Sequence, residues 1–212
     1  MKERLPILCA AAIALPIMLA FLVPGCGSSD PQFQGKSATM WVAALEDPNP
    51  EVQGTAKEWL ASEAVKNQKV ANALIHGVKL GNFAAAELMG ELAHDVPPVM
   101  APDMVQVLAE TVRNKGSNIS VRLAAAKALP KFGVAAGPAV PALIDMLRDD
   151  TNYTLRERAA ESIGGLPRNL AQQATQALLT AAKTDSTPAV QFKAVEVLRV
   201  VNPEALKQAG GN

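Results

Sequence analysis

The chain has 212 residues, and its 20 basic and 20 acidic side chains give a formal net charge of zero. The chain is thus neither basic enough to indicate a nucleic-acid partner nor acidic enough to indicate a solvating tail. Apolar residues make up 49% of the chain but aromatic residues only 4%, so alanine and leucine supply most of the hydrophobicity. Because alanine favours helices and permits close helix packing, the composition predicts an all-α protein.

The N-terminal segment has the pattern of an export signal. Residues 1–4 are mostly charged, and residues 5–23 form an apolar run without a charged side chain. A basic start followed by an apolar stretch is typical of a secretory signal peptide. The run is also just long enough to span a bilayer, so an uncleaved transmembrane anchor is an alternative interpretation.

Cys26 follows the apolar run in the sequence Val23-Pro24-Gly25-Cys26. This stretch resembles the lipobox of bacterial lipoprotein precursors, in which a peptidase cuts before a cysteine that carries a diacylglycerol. Gly25 and Val23 fit the pattern, and Pro24 departs from it. The resemblance implies that Cys26 is the lipidation site and that two or three acyl chains hold the protein on a membrane. Ordinary signal cleavage, which would leave a free thiol, is the other interpretation.

The lipoprotein resemblance also implies a domain organisation and a location. Residues 1–25 are the signal peptide, residues 26–36 a flexible polar tether, and residues 37–210 the folded domain. The protein is expected to be exported and anchored on the periplasmic side of a bacterial cell envelope. Gly27 stands where aspartate marks retention on the inner membrane, which favours the outer membrane.

The remainder of the chain repeats one helical pattern. The stretch at 121–133 recurs in altered form at four other places, 29 to 40 residues apart. A small residue recurs at the positions that we call the alanine column: Ala56, Ala85, Ala125, Ala159 and Ala194. A large apolar residue follows four positions later, in what we call the leucine column: Leu60, Met89, Leu129, Ile163 and Leu198.

Another apolar stretch of helical period precedes each copy, so every repeat is predicted to be a pair of helices. Asn49 and Thr187, each followed by a proline, are predicted to cap the second helices of the first and fifth pairs. Ser120 and Asn152 are predicted caps in the third and fourth pairs.

These pairs resemble HEAT repeats, in particular the short bacterial version also described as PBS-lyase HEAT-like. The resemblance covers about residues 38–202 and includes the arginine that opens the second helix, here Arg122 and Arg156. Gln53 and Gln191 replace that arginine in the first and fifth repeats. The implied fold is a right-handed α-solenoid of about five HEAT-like helix pairs, with the second helices lining its concave face.

Both ends of such a stack need covering, because a terminal repeat exposes one side of its core. Phe33, Trp41 and Trp59 are predicted to cover the N-terminal end, and residues 202–208 are predicted to form a short closing helix.

Motifs that carry enzymatic chemistry are absent from the sequence. It contains no H-E-x-x-H, G-x-S-x-G, Walker A or G-x-G-x-x-G pattern. His76 and His94 have no cysteine nearby, so we predict no metal site. We expect no catalytic residues, no cofactor, no small-molecule substrate and no nucleic-acid partner. The PBS-lyase resemblance leaves a chromophore-lyase-like enzyme as an alternative.

One column of positions is the candidate for partner binding. It lies two residues after the alanine column and comprises Glu58, Glu87, Lys127, Glu161 and Glu196. On a concave face these side chains would form a groove for a basic or polar protein, although glutamate is also common as a solvated helix residue. The predicted function is a membrane-anchored scaffold or adaptor for protein–protein interaction. A purely structural subunit of an envelope complex is the alternative.

Overall fold

A computed structural model describes residues 30–210 of the chain. This part begins with two short antiparallel strands, β1 (Gln32–Phe33) and β2 (Lys36–Ser37). Helices follow, and none in the described residues is long and apolar enough to cross a membrane. In chain order they are α1 (Ala38–Ala44), α2 (Pro50–Ala64), α3 (Gln68–Lys79), α4 (Phe83–Leu92), α5 (Ala101–Arg113), α6 (Ile119–Ala128), α7 (Val140–Asp149), α8 (Tyr153–Gly164), α9 (Arg168–Ala171), α10 (Thr175–Thr184), α11 (Pro188–Val201) and α12 (Pro203–Gly210).

Five helix pairs stack on one another. The pairs are α1/α2, α3/α4, α5/α6, α7/α8 and α10/α11, and each first or second helix also contacts its counterpart in the next pair. Tight 3₁₀ segments at Leu129–Ala139 and Gln172–Ala174, the latter preceded by α9, lead into the fourth and fifth pairs. The predicted all-α solenoid of about five helix pairs is confirmed, and the second pair is regular despite its short spacing.

The alanine and leucine columns form the centre of the core. All ten of their side chains have no solvent exposure. A helix pair this small cannot bury its apolar stripe alone, so the stripe is buried between neighbouring pairs. The small residues let the helices approach, and the large residues fill the space between them.

Two glycines mark the closest approaches between second helices. A Cβ atom added to Gly90 of α4 would lie 2.9 Å from the Cβ and 3.0 Å from the Cα of Ala128 in α6. A Cβ atom on Gly164 of α8 would lie 2.8 Å from Val197 Cγ2 in α11. Backbone atoms at Ala128 cannot move aside as a side chain can, so Gly90 is the more restricted position.

Asparagine side chains cap most of the second helices. The predicted caps Asn49 and Asn152 are confirmed, because each accepts a hydrogen bond from the backbone N–H two residues later. In the third pair the prediction of Ser120 is wrong. Asn118 caps α6 and accepts a hydrogen bond of 2.8 Å from the Ser120 N–H, since the helix already begins at Ile119.

The cap predicted for the fifth pair is also only partly correct. Thr187 occupies the capping position of α11, but its side chain makes no capping hydrogen bond. Its hydroxyl instead lies 3.3 Å from Nη2 of Arg156, which donates to it. The side chain therefore contributes to contacts between the fourth and fifth pairs.

Three aromatic rings cover the N-terminal end, as predicted. Phe33 stacks on Trp59 with centroids 5.6 Å apart, and Trp41 lies 5.8 Å from Phe33 and 6.3 Å from Trp59. The Trp41 indole N–H donates to the Phe33 carbonyl over 2.9 Å, so this buried tryptophan has its polar group satisfied.

Residues 30–36, assigned to the tether from sequence, belong instead to the folded body. The Asp30 carboxylate accepts hydrogen bonds from the Thr39 hydroxyl at 3.1 Å and the Thr39 N–H at 3.4 Å, and Phe33 packs on the core. Their polar composition resembles a linker, but the partly buried Phe33 ring and the Asp30 hydrogen bonds hold the segment on the first repeat. The described part of the body therefore includes Asp30, which is four residues after Cys26 in the sequence.

The C-terminal end is closed by α12, which confirms the predicted short helix. It contacts α10 and α11, and Leu206 packs against the core. The Asn202 side chain accepts a hydrogen bond from the Ala205 N–H at the start of this helix.

We expect Gly90→Ala to lower the free energy of unfolding by about 1–3 kcal/mol, because the new methyl group would overlap the Ala128 backbone. Gly54→Ala is the matched control within α2, where an added Cβ has nothing within 4 Å. That control should be stabilising by about 0.5–1 kcal/mol. Urea denaturation of the three proteins measures both effects, and equal stabilities for the two variants would contradict the close-approach account.

Candidate functional site

Buried arginine–aspartate pairs connect the third, fourth and fifth repeats. Arg122 donates from Nε and Nη2 to the Val112 carbonyl, at 3.1 and 2.8 Å, and forms an ion pair with Asp150 of the next repeat. Arg156 binds Asp185 through two hydrogen bonds of 2.8 Å and also donates to the Asp150 carbonyl over 2.9 Å. Each arginine thus joins its own repeat to the following one.

The Arg156–Asp185 pair shifts both titration equilibria towards the charged forms. Its hydrogen bonds raise the pKa of Arg156 despite burial, and the charges of Asp185 and Asp150 add to this effect. The same hydrogen bonds lower the pKa of Asp185, and the Thr187 N–H contributes a further hydrogen bond to its carboxylate. Because both side chains are almost fully buried, removal of one partner would leave an uncompensated charge.

The glutamines that replace this arginine keep only half of its contacts. Gln53 donates to the Asp47 carbonyl and Gln191 to the Asp185 carbonyl, each over 2.6 Å. Each of these hydrogen bonds is equivalent to the one that Arg156 donates to the Asp150 carbonyl within its own repeat. The second repeat has no carboxylate at the turn after α3, so an arginine at position 53 would have no acidic partner at that turn. The aspartate at the turn one repeat later is the sequence signal that predicts the pair.

The predicted binding column lies on the solvent side of the second helices, which we call the second-helix face: the outward surfaces of α2, α4, α6, α8 and α11. Glu58, Lys127, Glu161 and Glu196 are exposed, and Glu87 is half-buried. Across repeats, the Lys127 ammonium lies 3.8 Å from the Glu87 carboxylate.

Three of the four glutamates in this column have a cationic partner. Besides Glu87 with Lys127, Glu161 pairs with Arg158 one turn before it, and Glu196 pairs with Lys193 over 2.8 Å. Within residues 30–210, Glu58 makes no ion pair. The face therefore carries charges of both signs rather than a uniform acidic stripe. Exposed pairs of this kind contribute little to stability, so a binding partner can replace them at small cost.

An acidic cluster surrounds Lys193 at the junction of the fourth and fifth repeats. Its hydrogen bond to Glu196, with the charges of Glu161 and Glu157, raises the pKa of Lys193 despite partial burial. Three carboxylates from α8 and α11 therefore act on one ammonium group, and Arg158 pairs with one of them, Glu161.

Two exposed apolar side chains flank this cluster. Phe192 is 69% exposed and Val200 is 71% exposed, four residues before and after Glu196 on α11. Residues at this spacing share one side of a helix. Sequence reasoning from the glutamate column did not identify them, although the spacing 192, 196 and 200 is visible in the sequence.

Other positions singled out from sequence do not join this face. His76 lies in α3, beside an apolar groove on the first-helix side, and His94 is exposed after α4. Among residues 30–210 no group of three or more potential ligands is close enough to hold a metal ion. Cys26 lies outside the described residues, so its lipidation stays a prediction.

The fold defines the chain as an α-solenoid repeat protein, and a family comparison identifies the kind of repeat. The family model for HEAT repeats matches residues 82–164 and 140–209, which together exceed half of the chain. The chain therefore belongs to the HEAT-repeat family. No curated protein has significant sequence similarity to it.

Solved structures of similar fold are repeat proteins at low identity. An engineered protein is 19% identical, with a TM-score of 0.50 over 82% of this chain and 87% of that chain. The complex of CpcE and CpcF of phycocyanin lyase from Nostoc sp. PCC7120 is 20% identical, with a TM-score of 0.48 over 86% and 70%. A designed armadillo repeat protein in complex with the peptide (KR)4 is 17% identical, with a TM-score of 0.39 over 82% and 88%. At these identities the likeness concerns the fold alone.

We expect Asp185→Asn to lower the free energy of unfolding by about 3 kcal/mol at neutral pH, because it leaves the buried Arg156 guanidinium without its carboxylate. Glu204→Gln is the control, since it removes the exposed pair with Lys207 and should cost less than about 0.5 kcal/mol. Urea denaturation compares the two variants, and similar small losses would contradict a structural role for the buried pair.

The contribution of Asp185 should also depend on pH. Its pKa is lower in the folded chain than in the unfolded one, so it stabilises the fold above its ordinary value of 3.8, and that stabilisation is lost as the pH falls through the lowered value. We expect the stability difference between the unmodified chain and Asp185→Asn to shrink from about pH 7 to about pH 3. Urea denaturation at both values measures it, and a constant difference would contradict the assignment.

Proposed function

We propose that this HEAT-repeat protein is a lipid-anchored, non-enzymatic scaffold in a bacterial cell envelope. In this proposal Cys26 carries the lipid, and the second-helix face docks a protein partner on the periplasmic side of the outer membrane. The proposal unites two independent features, namely the N-terminal sequence pattern and the surface of the repeat stack.

The anchor is supported by the sequence around Cys26 and by the cysteine count. The chain has two cysteines, and the other, Cys9, lies inside the apolar run that cleavage before Cys26 would remove. Processing at this site would leave Cys26 as the only cysteine of the mature chain, without an intrachain disulfide partner. Its thiol is therefore available for a thioether bond to the lipid rather than for a disulfide within the mature chain.

The docking role is supported mainly by the exposed Phe192 and Val200 beside the acidic cluster of Glu157, Glu161 and Glu196. Aromatic side chains are enriched at the centres of protein interfaces, and charged side chains lie mostly at their polar rims, as Phe192 and the neighbouring carboxylates would here. The buried pairs of Arg122 and Arg156 hold α6, α8 and α11 in fixed register beneath this surface. A partner with basic and apolar residues would match it best.

In-cell cross-linking of a C-terminally tagged chain tests the docking role. The test variant replaces Glu58, Glu87, Glu161 and Glu196 by Gln on the second-helix face. The control makes the same change in charge on first helices α5 and α7, by amidation of the exposed Asp103, Glu110, Asp145 and Asp149. We expect one discrete partner to be captured by the unmodified chain and the control, and to be lost from the test variant.

The alternative outcome is equally specific. The same set of proteins captured by all three chains, or none at all, would contradict docking through the glutamate column and favour a purely structural envelope subunit. A structural subunit should co-purify in fixed stoichiometry and resist salt, whereas an adaptor that binds through exposed charges should dissociate as salt screens them.

The anchor has a separate test in the intact mass of the membrane-extracted protein. We expect loss of residues 1–25 and a mass increase that corresponds to a diacylglycerol on Cys26. Cys26→Ser should abolish the addition and release the chain from the membrane fraction. An unmodified full-length mass would contradict lipidation and favour an uncleaved transmembrane anchor.

A further inference from the structure

An apolar groove lies on the first repeats, away from the second-helix face. It has a volume of about 290 Å³ and lies between α1, α3 and the turn into α4. Val42, Ala43, Ala73 and Gly77 line it, and Leu80 stands at its edge with 73% of its surface exposed. An exposed leucine beside an apolar depression suits contact with an apolar surface.

The acidic residue in the groove wall, Glu46, is held by hydrogen bonds from backbone N–H groups. The Glu46 carboxylate accepts from the Phe83 N–H over 2.7 Å and from the Ala84 N–H over 3.4 Å, at the N-terminus of α4. A carboxylate bound to a helix N-terminus in this way costs less to remove from water than a free one. These hydrogen bonds partly compensate the Glu46 charge. The half-exposed Phe83 ring adds apolar surface beside the groove, whose wall also includes His76.

The N-terminal chain enters the fold at the same place. Asp30 is held by hydrogen bonds to Thr39, and Thr39 itself lines the groove. Cys26 is four residues before Asp30, and a fully extended chain of four residues reaches at most roughly 14 Å. A lipid on Cys26 would therefore hold Asp30, which is bonded to Thr39 in the groove wall, within that distance of the bilayer surface.

We infer that this groove, with Leu80 and Phe83 at its rim, is a membrane-contact surface that rests in the interfacial region of the bilayer. The inference rests on the proposed lipidation of Cys26. The anchor supplies proximity, and the apolar rim fixes which side of the first repeat faces the lipid. The first repeat then lies at the membrane and the fifth lies farthest along the chain from it, which leaves Phe192 and its acidic cluster free to meet a partner.

Depth-dependent fluorescence quenching tests this surface. In the lipidated chain Cys9 is removed and Cys26 is acylated, so an introduced cysteine is the only free thiol available for an NBD probe. Leu80→Cys places the probe at the groove, and Val200→Cys places it on α11 of the fifth repeat at a matched exposure of 71%. The lipidated proteins are reconstituted in vesicles of phosphatidylethanolamine and phosphatidylglycerol that contain doxyl-labelled lipid.

We expect roughly twofold quenching and a blue-shifted emission at position 80, because interfacial groups lie about 5–10 Å into the bilayer boundary, and no change at position 200. Intact mass of the same samples reports whether Cys26 carries the lipid. A lipidated protein with no quenching at position 80, or equal quenching at both positions, would overturn the membrane-contact surface and leave the anchor intact. An unmodified Cys26 in the membrane-extracted chain would overturn both.

A spacer variant separates a true contact from simple proximity. A flexible Gly/Ser insertion of about 20 residues between Ser29 and Asp30 relaxes the short tether but keeps the lipid and the groove. If quenching at position 80 persists in this variant, the membrane-contact surface itself holds the groove at the bilayer. Complete loss of quenching would show that the tether alone held the groove near the lipid, and would overturn the inference.

Discussion

The close stacking of second helices is the constraint on which the rest of this structure depends. Ala125 and Ala159 are fully buried, and Gly90 allows α4 to approach the backbone of α6 at Ala128. Small residues at these contacts allow the large residues of the leucine column to fill the layer beneath. Each helix pair buries its apolar stripe only against its neighbours. An enlarged side chain in the alanine column therefore disturbs two repeats at once.

The buried ion pairs also stabilise the contacts between neighbouring repeats, through directional hydrogen bonds rather than through apolar packing. Helix packing is tolerant of small rotations, whereas the two-pronged contact of Arg156 with Asp185 has a fixed geometry. Together they hold α8 and α11 so that Glu161, Lys193 and Phe192 belong to one surface. A flexible array would have to order that surface on binding, at a cost in entropy, and the fixed stack avoids this.

Much of the fold could be predicted because the helix-pair repeat recurs as a visible pattern in the sequence. The alanine and leucine columns have a helical period that requires no knowledge of distant contacts, and Trp41 and Trp59 could be placed at one end for the same reason. Contacts between side chains of different repeats were harder to predict from the sequence. The partner of Arg156 is 29 residues away at a turn, and pairing of Glu87 with Lys127 depends on how adjacent helices are staggered. Residues 30–36 were assigned wrongly for a different reason: their composition resembles a linker, but the partly buried Phe33 ring packs them on the first repeat.

The proposed docking surface of this HEAT-repeat protein is the second-helix face beside Phe192. Site-specific photo-cross-linking in living cells tests it most directly, with a photoreactive phenylalanine at position 192 and at Val134, which is 77% exposed and lies between the third and fourth helix pairs. The account predicts an adduct of one discrete mass from position 192 and none from position 134. Adducts from position 134 alone, or the same adducts from both positions, would contradict it.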